Sequence, residues 1–287
     1  MKLSVIVPAL EGRLPPSLVR ACARHEDEVE IVVVSGVSPV GKARNLGLDR
    51  ARGEWIAWVD SDDEVSENWF EDLRAAISTG DERVEAWVFD AKNIGRAWSE
   101  DFIYGKLSGA EVVRDVYGND RLEGHLWRTV TRRRLWDGLR FDENITVQED
   151  FLLLPQVLVR ANRIEYLSKI LYHYLHHDDS TLNRVNPCLL SDGLYAAERR
   201  LAEAPSEYRC AALSGSMRQV YNFLSACKIG CGGRRNSDRE SEKSARRFLL
   251  RHLLAVPSGF YKRVQYLCAA CDFWLPHRVT HYLRTRR

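Results

Sequence analysis

In GEWIAWVDSDDEV, residues Gly53 to Val65, an apolar run of Trp55, Ile56, Ala57, Trp58 and Val59 leads straight into Asp60, Asp62 and Asp63. A run of that length ending in acid predicts a buried strand with carboxylates at its tip. Three carboxylates crowded at one turn repel one another unless a cation or a ring of donors compensates, so the cluster points away from a purely stabilising role. A hard divalent ion held by one or two carboxylates, with water and substrate phosphates at the other positions, is the usual compensation. Asp60-Ser61-Asp62 is therefore a candidate D-x-D site, with Mn2+ or Mg2+ held by Asp62 and Asp60 against a diphosphate. A second reading stands beside it, an acidic turn before a helix, because Ser66 is a good N-cap and Glu64 and Glu67 favour a helix start.

Outward from this stretch, strands and helices alternate. Leu3 to Val7 is a β-branched run closed by Pro8, and Glu30 to Val34 repeats the pattern. Helices are expected over Ser17 to Arg24, Lys42 to Arg52 with Gly53 at the stop, and Asn68 to Ser78 with Trp69, Phe70, Leu73, Ala76 and Ile77 on one face. Val84 to Asp90 is a fourth strand, Asn93 to Tyr104 a loop, and Ser108 to Tyr117 a helix capped by Ser108. Strands apolar along most of their length and separated by helices predict a mostly parallel, Rossmann-like sheet covered on both faces. Ligands bind such sheets beyond the carboxyl ends of the strands, where Asp60 to Asp63 would sit.

These pieces carry a family resemblance. SVIVP (Ser4 to Pro8), EIVVV (Glu30 to Val34) and above all GKARNLGLDRARGEWIAWVDSDDEV (Gly41 to Val65) resemble the family 2 glycosyltransferases of the GT-A fold, bacterial enzymes that build polysaccharides from nucleotide sugars. The resemblance implies that Arg44 approaches the donor's phosphates and Asn45 shapes the site, that Asp60 faces the ribose or a metal-bound water, and that Asp62 binds the metal. Pro8, Glu11, Ser35 and Ser61 fall at its nucleotide-sugar positions. Against that, Arg44 alone would be an ordinary solvated helix residue. One departure stands out: Ser35-Gly36-Val37-Ser38 replaces the family's acidic D-D-G-S, and Ala9-Leu10-Glu11-Gly12 its Y-N-x-E, so the acid that would bond the base is missing. A serine hydroxyl offers a weaker bond than a carboxylate.

The family's second acidic motif matches FDENITVQEDFLLLPQVL, Phe141 to Leu158. Inverting sugar transfer needs a base for the acceptor hydroxyl and a cation for the leaving diphosphate. Asp150 is the candidate base and Glu149 its partner; both also suit a helix N-terminus before the apolar run Phe151 to Leu158. Arg128, Arg132, Arg133 and Arg134, just upstream, are expected mostly on a solvated basic face. Strands are expected at Ile164 to Leu167 and Ile170 to Tyr174. His176 or His177 stands where the family often closes over the diphosphate, the usual arginine being Leu175.

With 287 residues, 45% apolar and 29% charged, the composition is that of a soluble globular protein. From Pro187 onward Lys and Arg number 18 against 8 Asp and Glu, a balance of +10, while the remainder carries −8. Domains are expected at 1–186, catalytic, and 187–287, a basic extension of four helices: Cys188 to Ala204, Tyr208 to Ile229, Arg239 to Leu254 and Phe260 to Arg284. Gly230 to Asn236 reads as a linker. The last helix, with Tyr261, Val264, Leu267, Cys268, Cys271, Trp274 and Leu275 along one face and arginines around it, fits an anionic membrane surface, or packing on its own domain or a second subunit. Seven cysteines without a signal peptide or a run of roughly 18 apolar residues predict reduced thiols, a cytoplasmic location and no spanning helix. Zinc at Cys227 and Cys231 or at Cys268 and Cys271 is disfavoured by spacing and helical setting.

The expected function is metal-dependent, inverting transfer of a sugar from a nucleotide diphosphate, a UDP-sugar, to a growing cell-surface glycan or lipid-linked acceptor, cytoplasmic or peripheral on the inner membrane face. No nucleic-acid partner is expected. Two alternatives remain. A nucleotidyltransferase would want a glycine-rich loop after the first strand, where only Gly12 stands. A non-catalytic scaffold on the GT-A fold would explain the lost acids of Ser35 to Ser38, but not the retained Asp60, Asp62 and Asp150.

Overall fold

The β-branched run after Lys2 forms β1, Leu3–Ala9, and the next one β2, Val29–Ser35, with α1, Pro16–Cys22, between them. The computed structural model describes residues 2–9, 11–95, 101–103, 105, 107–118, 124–176, 188–229, 239–257 and 259–271. Two compact units emerge, Met1–Arg184 and Val185–Arg287.

In the first unit the chain continues through α2, Val40–Arg50, β3, Trp55–Trp58, β4, Glu64–Val65, and α3, Trp69–Thr79. Then come β5, Ala86–Ile94, α4, Gly109–Gly118, β6, Thr129–Arg132, α5, Glu149–Leu158, and β7, Ile164–Leu175. They make a seven-stranded sheet in the order β2-β1-β3-β6-β5-β7-β4. β1 lies parallel to β2 and β3, and β5 parallel to β7; β6 runs antiparallel to β3 and β5, and β4 antiparallel to β7. β2, β1, β3, β5 and β7 thus share one direction, as the alternating pattern predicts, and two strands oppose them. All four residues of β3 are buried, so its apolar run has sheet neighbours and helices around it.

The two glycines of the helix before the acid strand are explained by packing. A Cβ on Gly47 would lie 2.3 Å from Ile6 Cγ2, so α2 presses directly on β1. A Cβ on Gly41 would lie 2.8 Å from the Asp142 carbonyl oxygen, so the start of α2 abuts the segment that leads to α5.

Several local expectations change. The basic stretch around Arg128 contains β6, and Arg128 is wholly buried: it donates to the Phe89 and Phe102 carbonyls at 3.3 and 2.9 Å and lies over the Phe102 ring. Of the four arginines, Arg133 and Arg134 are the exposed ones. Ser66 does not cap α3; Asn68 holds the N-cap position without a side-chain bond. Ser108 does cap α4, exchanging bonds with Glu111 in a capping box. The expected Asn93 to Tyr104 loop begins later, because β5 runs to Ile94 and Phe102 returns to pair with Ala91. The two strands expected after Ile164 are one, β7. Its register on β5 jumps from Phe89↔Leu167 to Asp90↔Ile170, a bulge that exposes Ser168, Lys169 and Ile170.

The second unit is helical: α6, Leu189–Glu203, α7, Arg209–Ile229, α8, Arg239–His252, and α9, Phe260–Ala270. Leu190, Leu194, Met217, Val220, Leu224, Phe248, Leu249 and Tyr266 build its own core. α9 buries Tyr266, Ala269 and Ala270 and leaves Leu267 exposed, so its packed side is not the apolar face expected from the sequence. Gly230 to Asn236 and the expected helix beyond Cys271, with Trp274, Leu275 and the terminal arginines, lie outside the described residues.

Candidate active site

The end of β3 is fixed by its neighbours before any side chain acts. Val59 donates its amide to the Ile6 carbonyl at 3.1 Å, carrying the strand one residue further, and Asp63 N donates to Asp60 O at 3.3 Å to close a turn. The three acids then separate. Asp63 is 3% exposed and points inward, accepting from the Tyr172 hydroxyl and the Leu175 amide, both at 2.7 Å. The same hydroxyl accepts the Asp60 amide at 3.1 Å. Burial, with the Asp60 charge added, pushes the Asp63 carboxyl up to about 8. Asp63 therefore ties the acid turn to β7, while Asp62 is exposed and the Asp60 side chain is 30% exposed.

Among the described residues, no three His, Cys, Asp or Glu side chains gather as a closed metal site. The donor set does suit a hard cation of the open kind, since such an ion needs one or two carboxylates and takes its other oxygens from water and phosphate. Asp62 and Asp60 are the accessible pair.

Arg44, from the middle of α2, is buried rather than solvated, at 6% exposure. Its Nη2 donates to Asp60 Oδ1 at 3.3 Å, its Nη1 donates to the Glu149 carboxylate, and the Phe141 ring lies 5.7 Å from its guanidinium carbon. Burial works against the charge of Arg44, but Glu149, Asp60 and Asp150 outweigh it and hold the guanidinium protonated well above the usual arginine value. Glu149 is 4% exposed; burial pushes its carboxyl above the usual range, Asp150 adds to the rise, and the opposing pull of Arg44 does not cancel it. Asp150 is half-buried, its carboxylate accepting the Phe151 amide at 2.7 Å. Just before this pair Gln148 has φ 74°, a left-handed conformation that a non-glycine residue adopts at a cost of roughly 1–3 kcal/mol, and such strain collects at functional segments.

Asn45 holds the other end of the same segment. Its Nδ2 donates to the Phe141 carbonyl at 3.0 Å and to Glu143 Oε1 at 2.8 Å, and its Oδ1 accepts the Phe141 amide at 2.9 Å. Two adjacent residues of α2 thus clamp 141–149 at both ends. Two motifs some ninety residues apart meet on one helix, and a single guanidinium lies within reach of Asp60, Glu149 and Asp150.

The remaining expected residues lie at the strand ends. Pro8 is half-buried opposite Val34. Gly12 and Gly36 both donate their amides to the Ala9 carbonyl, and a Cβ on Gly12 would lie 3.3 Å from Ser35 Oγ, so the loops after β1 and β2 are joined at Ser35. Glu11 is largely exposed and pairs with Arg13 at 3.2 Å. Ser61 is half-buried in the acid turn. His176 donates its amide to the Ile94 carbonyl at 3.0 Å and meets the Tyr174 ring edge-on at 4.9 Å. His177 lies outside the described residues. Sequence reasoning missed Tyr172, whose ring stacks on Trp127 at 4.5 Å and whose hydroxyl anchors the acid turn. It stands in LYHYL with no motif to mark it.

Residues 16–104 match the family model described as glycosyl transferase family 2. The succinoglycan biosynthesis protein ExoO of Rhizobium meliloti is 27% identical over 207 residues, covering 68% of this chain and 58% of that protein. The poly(ribitol-phosphate) beta-N-acetylglucosaminyltransferase TarS of Staphylococcus aureus is 26% identical over 210 residues, covering 61% and 35%. The crystal structure of TarS residues 1–349 in complex with UDP-GlcNAc superposes with a TM-score of 0.63 at 19% identity, over 90% of this chain and 82% of that one. Matches to the curated relatives span between 16% and 58% of those proteins' own lengths. Taken with the mixed sheet and the acid strand, these likenesses make the first unit similar to a glycosyl transferase family 2 domain over residues 16–104 and give it the GT-A fold.

Proposed function

We propose that this chain transfers a sugar from a UDP-sugar donor to a growing cell-surface glycan or lipid-linked acceptor, with inversion and with the help of a divalent ion. The observation that carries this is the convergence of Asp60, Glu149 and Asp150 about Arg44, which brings the acid strand and the E-D pair into one site. Asp150 is the base: it is half-buried at the start of α5 and accessible to an acceptor hydroxyl, whereas Glu149 is buried and committed to Arg44. Asp62, with Asp60, would hold Mn2+ or Mg2+, which when bound neutralises charge on the leaving diphosphate. Arg44 acts as a positioning residue, because its charge is already shared among carboxylates. Asn45 holds the segment that carries the base. Pro8, Glu11, Ser35, Ser61 and the His176-His177 pair contribute to the nucleotide-sugar side.

UDP as the nucleotide is supported by the UDP-GlcNAc complex of the structural neighbour TarS. A place on the inner membrane face is supported by the basic second unit, and no helix among the described residues is long and apolar enough to cross a membrane. The experiment is Asp150→Asn in the full chain. A general base is worth roughly 100-fold or more, so turnover should fall by about that factor while the UDP-induced rise in melting temperature persists. Retained turnover would remove Asp150 from the role.

A further inference from the structure

The charge of the helical unit is concentrated in its second half. Between Arg239 and Cys271 stand seven Lys and Arg against two Asp and Glu. α8 packs Ala245, Phe248 and Leu249 into the unit's core, all nearly inaccessible. At 100° per residue the opposite side of the helix carries Lys243, Arg247, Leu250 and Arg251, and Leu254 follows in the turn after it.

This outer face is unusual in what it leaves uncovered. Leu250 is 47% exposed and Leu254 85%, with Leu267 of α9 at 42%; among the described residues of the unit, Tyr195 is the one other large apolar side chain left exposed. Single exposed leucines are ordinary, but two leucines set among cations, one on the outer side of α8 and one in the turn after it, form a patch with two requirements. Its partner must be apolar where the leucines point and negative around them. The one acid on this side, Glu240, answers Lys243 and Arg247 only loosely, at 3.5 and 3.8 Å and in the open. A second copy of the chain is a poor match, since a two-fold contact would set Arg247 and Arg251 against their own counterparts. A bilayer with anionic headgroups meets both requirements: leucines enter the acyl boundary while arginines stay at headgroup level.

We propose that the outer face of α8 and the turn after it, Lys243, Arg247, Leu250, Arg251 and Leu254, is the surface that lays the chain on an anionic bilayer. This rests on the peripheral placement proposed above and relocates it from the C-terminal helix to α8.

The test is co-sedimentation of the full chain with phosphatidylcholine vesicles, with and without phosphatidylglycerol, for the wild type and two double variants, Leu250→Ser/Leu254→Ser and Arg247→Gln/Arg251→Gln. The wild type should bind only the anionic vesicles, and added salt should weaken it. Each arginine near a charged surface is worth about fivefold in affinity, so the arginine variant should bind roughly tenfold or more weakly, and the leucine variant similarly. UDP-induced thermal stabilisation should be the same in all three proteins, which shows that they are folded and separates this result from the catalytic one. Wild-type binding retained by both variants would leave the membrane placement standing and overturn the role of α8. No binding of the wild type to anionic vesicles would overturn both, and a dimer that becomes a monomer in the leucine variant would make the face a contact between copies.

Discussion

Arg44→Met strips the buried Glu149 carboxyl of the guanidinium that faces it. Both side chains are nearly inaccessible, 6% and 4% exposed, so the loss is that of one partner of a buried pair, about 3–5 kcal/mol. The bond to the part-exposed Asp60 adds at most about 1 kcal/mol. The pH dependence has a definite sign. Glu149 already titrates in the folded chain above its unfolded value of 4.5, because burial outweighs the pull of Arg44, and removing Arg44 takes that pull away. The folded variant then holds a proton that the unfolded chain releases, so its stability falls as pH climbs from the unfolded value through the folded one. Urea unfolding at about pH 8 should show a clearly larger loss than unfolding near pH 5. Arg44→Met/Glu149→Met should recover most of it, because two apolar groups in place of a buried pair leave nothing unsatisfied. A loss under about 1 kcal/mol, equal losses at both pH values, or a double variant no better than the single would refute the assignment.

Tyr172→Phe removes the hydroxyl shared by Asp63 and the Asp60 amide, and should cost about 1–3 kcal/mol in urea unfolding together with a loss of turnover; an unchanged midpoint would detach Tyr172 from the acid turn. Burial pushes the Cys22 thiol up to about 12, so with a colorimetric thiol reagent at mildly alkaline pH the exposed Cys188, Cys210 and Cys271 should react in the native protein and Cys22 only on unfolding. Rapid native labelling of Cys22, mapped by mass spectrometry, would contradict its burial.

What was legible in the sequence was whatever repeats locally. The apolar runs of β1, β2 and β3 are written within a few residues of the structure they make, and the acid strand pointed to the site directly; the stop expected at Gly53 comes earlier, since α2 ends at Arg50 with Ala51 as its C-cap. Long-range pairings were not legible. Arg44 and Asn45 are polar residues on a helix and by pattern belong in solvent; their partners, Glu149 and Phe141, stand about a hundred positions on. Arg128 looks like one more member of a basic stretch, yet two carbonyls and the Phe102 ring from distant segments satisfy it in the interior. The third acid of the cluster, Asp63, has the same chemistry as Asp62 in sequence. The Tyr172 hydroxyl and the Leu175 amide, more than a hundred positions on, turn it inward. β4 is two residues long and has no period to detect.

Calorimetric titration of the full chain with UDP, with and without Mn2+, in the wild type and in Asp62→Ala, decides whether the acid strand binds a metal-held nucleoside diphosphate. UDP should bind the wild type, the ion should strengthen this binding, and Asp62→Ala should lose the strengthening while remaining folded. Absence of binding by UDP, and equally by GDP, CDP and TDP, with the ion present would contradict this, and the serine-bearing loop Ser35 to Ser38 would be the physical reason.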